Sequence, residues 1–404
     1  MGELSARGLR ADEYDDFFGV FSAAFLDDSL AASSEAYEDV FRAEFAHGVF
    51  DGDEMIGAAG RLEQEITVPG PAQCPLAAIT AVGVKPGHRR RGVLTSLMHE
   101  QLGALHDDGM PVAALYASEA GIYGRFGYGL ASFESHLAVP RGAAFLSTVE
   151  VDGRRVREVG REQALEFARS LYPAVAAANP GWLSRSDGSW EARVLDSPNA
   201  RGDVSAPRFA VHPDGYAIYR PKREWTSRGP AYQLHVAELV AATPQAYAAL
   251  WRYLLDIDLV AEVVWRKAAI DEPVLGMLVN PRAVDRKVLD GLWVRLVDLD
   301  RALMARRYAA PVDVVFDVTD RFCPWNEGRW RLRADGAGSA TATRTENAGE
   351  ISLDVAALAA AYLGGTTLAA LARTGRVVER EPGALLAASR AFATDFAPHC
   401  QEGF

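Results

Sequence analysis

The chain has 404 residues, 49% of them hydrophobic and 24% charged, with a formal net charge of −12. The length exceeds one ordinary core, so two or three domains are expected, and the composition is that of a globular protein. The acidic balance argues against nucleic acid as a general partner, because phosphates need basic faces. It suits small cationic substrates and, to a larger extent, plain solubility.

Cys74, Cys323 and Cys400 are widely spaced and form no CxxC pair. Neither a disulfide framework nor a zinc site is expected, and a reducing cytoplasm fits. None of the histidines has ligand spacing, so no metal is expected. Residues 1–10 lack the apolar segment of a signal peptide, and no apolar run is long enough to span a bilayer, which leaves no membrane partner.

In chain order, Asp12 is placed to cap a helix carrying Tyr14, Phe17, Phe18, Phe21 and Phe25 at helical period. A second, acidic-aromatic helix is expected over residues 33–45. Asp51-Gly52 reads as a hairpin turn, and residues 62–68 alternate like a half-exposed strand until Pro69-Gly70-Pro71. Residues 77–84 are apolar and β-rich, as in a buried central strand. After Lys85-Pro86-Gly87 a helix is expected from about Arg91 to His106, followed by a strand over residues 112–116 and a glycine-rich aromatic stretch over 118–128.

Past about residue 151 the pattern restarts. A hairpin turns at Pro213-Asp214-Gly215, a strand runs over 235–240, and Thr243-Pro244 opens a helix. No glycine-basic loop follows. A third unit begins near Gly291, with strands at 293–296, 312–318 and 328–333. Its helices are expected at 299–308, 355–363, 367–373 and 382–392. Domains are therefore expected at 1–150, 151–290 and 291–404, in an α+β or α/β arrangement.

A strand that ends in a turn and feeds a helix aims free backbone N–H groups at one point. Arg91, Gly92, Val93 and Leu94 would supply such amides, and Gly92 allows close approach. Three consecutive arginines cannot all face a phosphate, because helical residues step by about 100°. Alone, the run His88-Arg89-Arg90-Arg91-Gly92 is also compatible with a solvated basic patch.

The pattern V-x-V-x-P-x-x-R-R-R-G-x-L resembles the acetyl-CoA motif of the GNAT acetyltransferases. Arg89, Gly92 and Leu94 occupy its places, with Leu94 where a small residue is usual. The same departure recurs in the Eis (enhanced intracellular survival) proteins of actinobacteria. The resemblance to them covers nearly the whole chain: Ala117-Ser118-Glu119-Ala120-Gly121-Ile122-Tyr123-Gly124-Arg125-Phe126-Gly127-Tyr128-Gly129, His212-Pro213-Asp214-Gly215-Tyr216, Gly291-Leu292-Trp293-Val294-Arg295-Leu296, residues 358–365 and an aromatic last residue. It implies a catalytic GNAT domain, a second GNAT-like domain without a cofactor loop, and a C-terminal domain like the sterol carrier proteins. It also implies a homohexamer that acetylates amines of aminoglycosides and lysines.

On this resemblance the cofactor side comprises Val82, Gly83, Val84, Arg90, Arg91, Gly92, Val93, Leu94, Thr95, Ser118 and Glu119. Tyr123 is the expected acid for the leaving thiolate, with Tyr128 as the competing tyrosine. The α-carboxylate of Phe404 is expected to orient the amine. Asp27, Tyr37 and Glu402 are expected on the substrate side, with Asp28 and Glu35 near them, while Gly403 stands where the family often has an acid. The other functional class is a binding or carrier protein that uses the C-terminal domain.

Overall fold

The computed structural model describes residues 4–27, 42–193, 201–336 and 338–404. Strands are numbered in chain order. The first six are β1 (Leu4–Gly8), β2 (Ala46–Asp51), β3 (Glu54–Val68), β4 (Ala72–Val84), β5 (Val112–Tyr116) and β6 (Gly129–Leu130). Next come β7 (Phe133–Pro140), β8 (Arg157–Val159), β9 (Arg208–His212), β10 (Gly215–Lys222), β11 (Trp225–Thr226), β12 (Gly229–Pro230), β13 (Tyr232–Ala241), β14 (Val260–Ala269) and β15 (Asp285–Asp290). The last are β16 (Leu292–Leu296), β17 (Val312–Thr319), β18 (Gly328–Ala334), β19 (Ala340–Arg344), β20 (Ile351–Asp354) and β21 (Val377–Glu379). They belong to two compact units whose borders do not follow chain order.

The first unit comprises Met1–Ser132, Leu292–Asp395 and Glu402–Phe404. Its larger sheet has the order β1-β2-β3-β4-β5-β16-β6. Two hairpins build one half, with Gly52 at φ 65° in the tight turn between β2 and β3. Helix Val93–Asp107 lays Val93, Leu97, Met98, Leu102 and Leu105 into the core under this sheet. Helix Tyr14–Phe25 buries Phe17, Phe18 and Val20 in a second cluster. Asp12 does not cap it: Asp12 sits inside the 3₁₀ turn Ala11–Glu13. Glu13 precedes the helix instead, its carboxylate held by Arg7 at 2.6 and 2.8 Å and by the Arg10 N–H at 2.9 Å. Of the helix expected over 33–45, residues 33–41 lie outside the described residues, and Ala43–Phe45 is a 3₁₀ turn leading into β2.

The strand expected over 293–296 is β16, and it joins the sheet of the first domain rather than one of its own. It runs antiparallel to β5 from Leu292↔Tyr116 to Leu296↔Val112 and takes β6 on its other side. The rest of the C-terminal segment forms the sheet β19-β18-β17-β20-β21 with helices Val355–Tyr362, Leu368–Ala372 and Ala384–Phe392.

The second unit comprises Phe133–Gly291 and Phe396–Gln401, around the sheet β15-β7-β14-β13-β10-β9-β8. It therefore takes in β7, which lies before residue 150. Helix Pro244–Asp256 packs Leu250, Trp251, Leu254 and Leu255 into its core. A buried ion pair crosses it. Arg185 donates to Glu238 at 2.6 and 3.0 Å, and its guanidinium lies 3.8 Å over Tyr172 and 4.4 Å over Trp190. Pairing and bidentate hydrogen bonds are what make two buried charges tolerable.

Candidate active site

The site begins with a fault in β4. Ala81 has φ 52°, a left-handed backbone rare for a residue with a side chain. The register against β3 slips between Ala58 and Gly60, so β4 bulges there. On its other edge β4 pairs with β5 only through Leu76–Ala78 and Val112–Ala114. Past these pairs the two parallel strands part. The far edge of β5 is fully occupied by β16, so the unpaired edges of β4 and β5 face one wedge. Val82, Gly83 and Val84 line its β4 side, with backbone groups able to pair with an extended ligand. Gly83 is required by packing as well, since a Cβ there would meet the Ala24 Cβ at 2.8 Å.

The loop after β4 turns through Arg90 at φ 62° and Gly92 at φ 86° into helix Val93–Asp107. The helix starts two residues later than the sequence suggests, so Gly92 is its cap. The first intrahelical bond runs from Ser96 N–H to Gly92 O at 3.0 Å. Val93, Leu94 and Thr95 therefore present N–H groups at the positive end of a four-turn helix, beside two left-handed residues. Among the described residues other than its chain neighbours, nothing lies within 4 Å of a Cβ built on Gly92, so there is room for a ligand beside it. The three arginines divide their work. Arg91 pairs with Asp51 at 2.8 Å and ties the loop to the β2–β3 turn, while Arg89 and Arg90 are exposed. Lys85 likewise pairs with Glu54 at 2.8 Å. Gly57 presses on Val93, whose Cγ1 would lie 2.5 Å from a Cβ there.

Ser118 and Glu119 are exposed just after β5, and Glu119 O accepts the Ile122 N–H at 3.1 Å. The chain then forms the 3₁₀ turn Tyr123–Phe126, closed by Gly127 at φ 83°. Tyr123 is 5% exposed, and its ring centre lies 5.8 Å from that of Tyr128 in edge contact. Burial, helped by the Glu119 charge, pushes the Tyr123 phenol up to about 12. Burial pushes Tyr128 up further, and its hydroxyl has no hydrogen-bond partner among the described residues. Of the two, Tyr128 is the core plug.

The C-terminus reaches the same strand end. Phe404 is half-buried against Tyr116, the last residue of β5, with Glu402 half-buried nearby in sequence. Asp27 is exposed directly past the first helix, where its N–H meets Ser22 O at 3.2 Å and its carbonyl accepts the Ser22 hydroxyl at 2.8 Å. Tyr37, Asp28 and Glu35 lie outside the described residues. Tyr116 was not picked out by sequence reading. Its position as the last residue of a buried strand before Ala117-Ser118-Glu119 was the available signal.

The second unit repeats the outline and lacks the loop. There β13 pairs with β14 in parallel only over Tyr232–Val236, then passes directly to Thr243-Pro244. The Thr243 side chain accepts the Ala246 N–H at 3.2 Å, so one of the helix-end donors is already taken. Asp152, His212 and Asp214 gather in this unit, with one donor atom of each within 4.8 Å of the others. These donors are engaged within the protein: Arg154 pairs with both carboxylates, and His212 Nδ1 accepts the Asp214 N–H at 3.1 Å.

This geometry agrees with the sequence comparisons. Residues 5–131 and 181–298 match two acetyltransferase (GNAT) domain families, and residues 299–401 match a sterol carrier protein domain. The chain is 40% identical to an N-acetyltransferase of Streptomyces avermitilis over 98% of its length and 99% of the relative's. It is 33% identical to the N-acetyltransferase Eis of Mycobacterium tuberculosis, covering 95% of each. The chain belongs to the Eis-type N-acetyltransferases. Among solved structures, Eis1 from Mycobacterium abscessus superposes with a TM-score of 0.88 at 35% identity, covering 99% of this chain and 100% of that one. A GCN5-related N-acetyltransferase from Kribbella flavida gives 0.79 at 26% identity, covering 100% and 98%. The Eis-type architecture is thus two GNAT domains followed by a sterol-carrier-like domain, and the chain is an acyltransferase of the GNAT kind, a class that uses acetyl-CoA as cosubstrate. Among the described residues no helix is long and apolar enough to cross a membrane.

Proposed function

We propose that this chain transfers an acetyl group from acetyl-CoA to primary amines of small cationic molecules, of the aminoglycoside, polyamine or lysine type. The observation that supports the reading is the wedge between β4 and β5, with an amide turn opening the helix after β4 and Phe404 packed on Tyr116 at the end of β5; Tyr123 is assigned to the same site. Val93, Leu94 and Thr95 N–H groups receive the pyrophosphate. The β4 edge at Val82–Val84 pairs with the extended arm of the cosubstrate and aims a backbone donor at the thioester oxygen, where negative charge develops.

Acetyl-CoA supplies an activated thioester. Tyr123 remains protonated through the neutral range, because its phenol is pushed up to about 12. Full transfer to a free thiolate of pKa about 8.5 would run uphill by about 5 kcal/mol. Tyr123 therefore first donates a hydrogen bond to the departing sulfur. It hands over the proton late, as the same dry surroundings make that sulfur more basic. The Phe404 α-carboxylate, reference pKa near 3.5, is too weak a base to strip an ammonium near pH 7. It orients the cation and relays its proton through water, with Glu402 and Asp27 adding negative charge.

On this reading the protein works as a homohexamer, as the family resemblance implies, in the reducing cytoplasm that its cysteine usage fits. The C-terminal domain serves to place the chain terminus, not to carry lipid. The test is thiol release from acetyl-CoA across a panel of amines. A protein that releases no thiol with any aminoglycoside, polyamine or lysine peptide would leave the carrier reading standing.

A further inference from the structure

The sequence assigns Arg295 no role beyond its place in the strand at 293–296. In β16 it lies opposite Ala113 and is wholly buried. Its Nη2 donates to Asp320 Oδ2 at 2.6 Å. Asp320 is itself fixed by the Cys323 N–H at 3.0 Å and the Asn326 side chain at 3.1 Å. The Cys323 side chain also lies beside the guanidinium. A guanidinium buried this completely is costly, so its location calls for a reason.

The reason lies against Gly127. A Cβ on Gly127 would meet Arg295 Cζ and Nη1 at 2.7 Å and the Val355 Cγ1 at 2.9 Å. Gly127 is the left-handed residue that closes the Tyr123 turn, with its N–H bonded to Gly124 O at 3.1 Å. Two residues on, a Cβ on Gly129 would meet the Ala356 carbonyl at 2.1 Å and the Ala360 N at 2.4 Å. The turn is thus pressed onto a plate made of the Arg295 guanidinium and helix Val355–Tyr362. A cavity of about 280 Å³ lies beside the turn, lined by Gly124, Arg125, Gly127, Asp320 and Val355 among others. The turn meets the plate at Gly127 and Gly129, while Tyr123 and Phe126 are buried in the core of the sheet.

We infer that Arg295 is a positioning residue for Tyr123: the buried Arg295–Asp320 pair holds Gly127, and through it sets where the phenol stands over the wedge. The inference rests on the reading of Tyr123 as the acid. It gives the sterol-carrier-like segment a part in the chemistry, since Asp320 and Val355 both come from that segment.

The test is a double-mutant cycle. Arg295→Met with Asp320→Asn removes both charges, so no lone ion is left in the core. Expected is a fall in kcat of about tenfold with the KM for acetyl-CoA unchanged, as for loss of an interaction made only in the transition state. In a Tyr123→Phe background the same pair should cost almost nothing further, because the group being positioned is gone. Losses that multiply in the combined variant, or a folded pair variant at the wild-type rate, overturn the inference. If that pair does not fold, Gly127→Ala replaces it, and the same non-additivity with Tyr123→Phe is required. A large loss in Tyr123→Phe with none in the Arg295 or Gly127 variants overturns the positioning alone. No loss in Tyr123→Phe overturns the acid assignment as well.

Discussion

The ring of Phe404 lies 5.3 Å from the ring of Tyr116, tilted at 60°, so the last residue of the chain packs against the last residue of β5. Most chain ends fray. This one meets an aromatic ring at the end of β5, and on the function proposed above its α-carboxylate orients the amine. A short C-terminal tag should turn that carboxylate into a neutral amide and lower kcat steeply, although every native side chain remains. Deleting Phe404 should do the same, since the new carboxylate falls up to about 3.5 Å short. Thiol release by C-tagged and N-tagged protein is the comparison, and equal rates would remove the carboxylate from the site.

Tyr123→Phe keeps the ring and removes the proton. The loss in kcat should be about 10²-fold, with little change in the KM for acetyl-CoA. Tyr128→Phe should cost much less, because its hydroxyl makes no hydrogen bond among the described residues. The pH profile carries a sign. Burial holds the Tyr123 phenol up at about 12, so it stays protonated to well past the usual 10. No alkaline fall in kcat assignable to a tyrosine should appear below about pH 11. A tyrosine limb near 10 that vanishes in Tyr123→Phe would contradict the buried setting.

Gly92 has φ 86° and open space before it. Gly92→Val should weaken acetyl-CoA binding in a folded protein, because the side chain enters the volume the pyrophosphate takes. The strain of a branched residue at positive φ adds about 1–2 kcal/mol against stability. Calorimetry with acetyl-CoA and a melting curve separate the two effects. Unchanged affinity would take the loop out of the site.

Local elements around the site were legible because they rest on local signals. The strand Val112–Tyr116 and the Gly52 turn announce themselves by apolar runs and turn residues. The bulge at Ala81 had no such signal, since alanine is not a residue that normally marks a left-handed backbone. The membership of β16 was equally hidden: Leu292–Leu296 reads as a strand wherever it pairs, and its partner Val112–Tyr116 lies far away in sequence. The role of Arg295 was hidden as well, because its partner Asp320 lies in a different element of the chain. The spacing Gly127-Tyr128-Gly129 was a usable clue, because two glycines around a large ring often mark backbone pressed against something. The run of arginines gave no sign of which side chain goes where; that of Arg91 pairs with Asp51.

His47 offers a test of stability. It lies on β2 between Gly8 and Ala59, is 7% exposed, and its Nδ1 has no partner among the described residues. Burial, with the Arg61 charge beside it, lowers its pKa from 6.5 to about 4. The unfolded chain thus binds the proton more readily than the folded one. Stability from this group is full above pH 6.5 and is lost as the pH falls toward 4, by about 3 kcal/mol in all. Glu272, buried and raised to about 7, acts in the opposite sense over the same range and is common to wild type and variant. His47→Gln removes the titration and keeps a polar side chain. Urea unfolding at pH 7, 5.5 and 4.5 should show the wild type losing more stability than His47→Gln at each downward step. Parallel curves for the two proteins would mean that His47 is protonated in the fold at little cost.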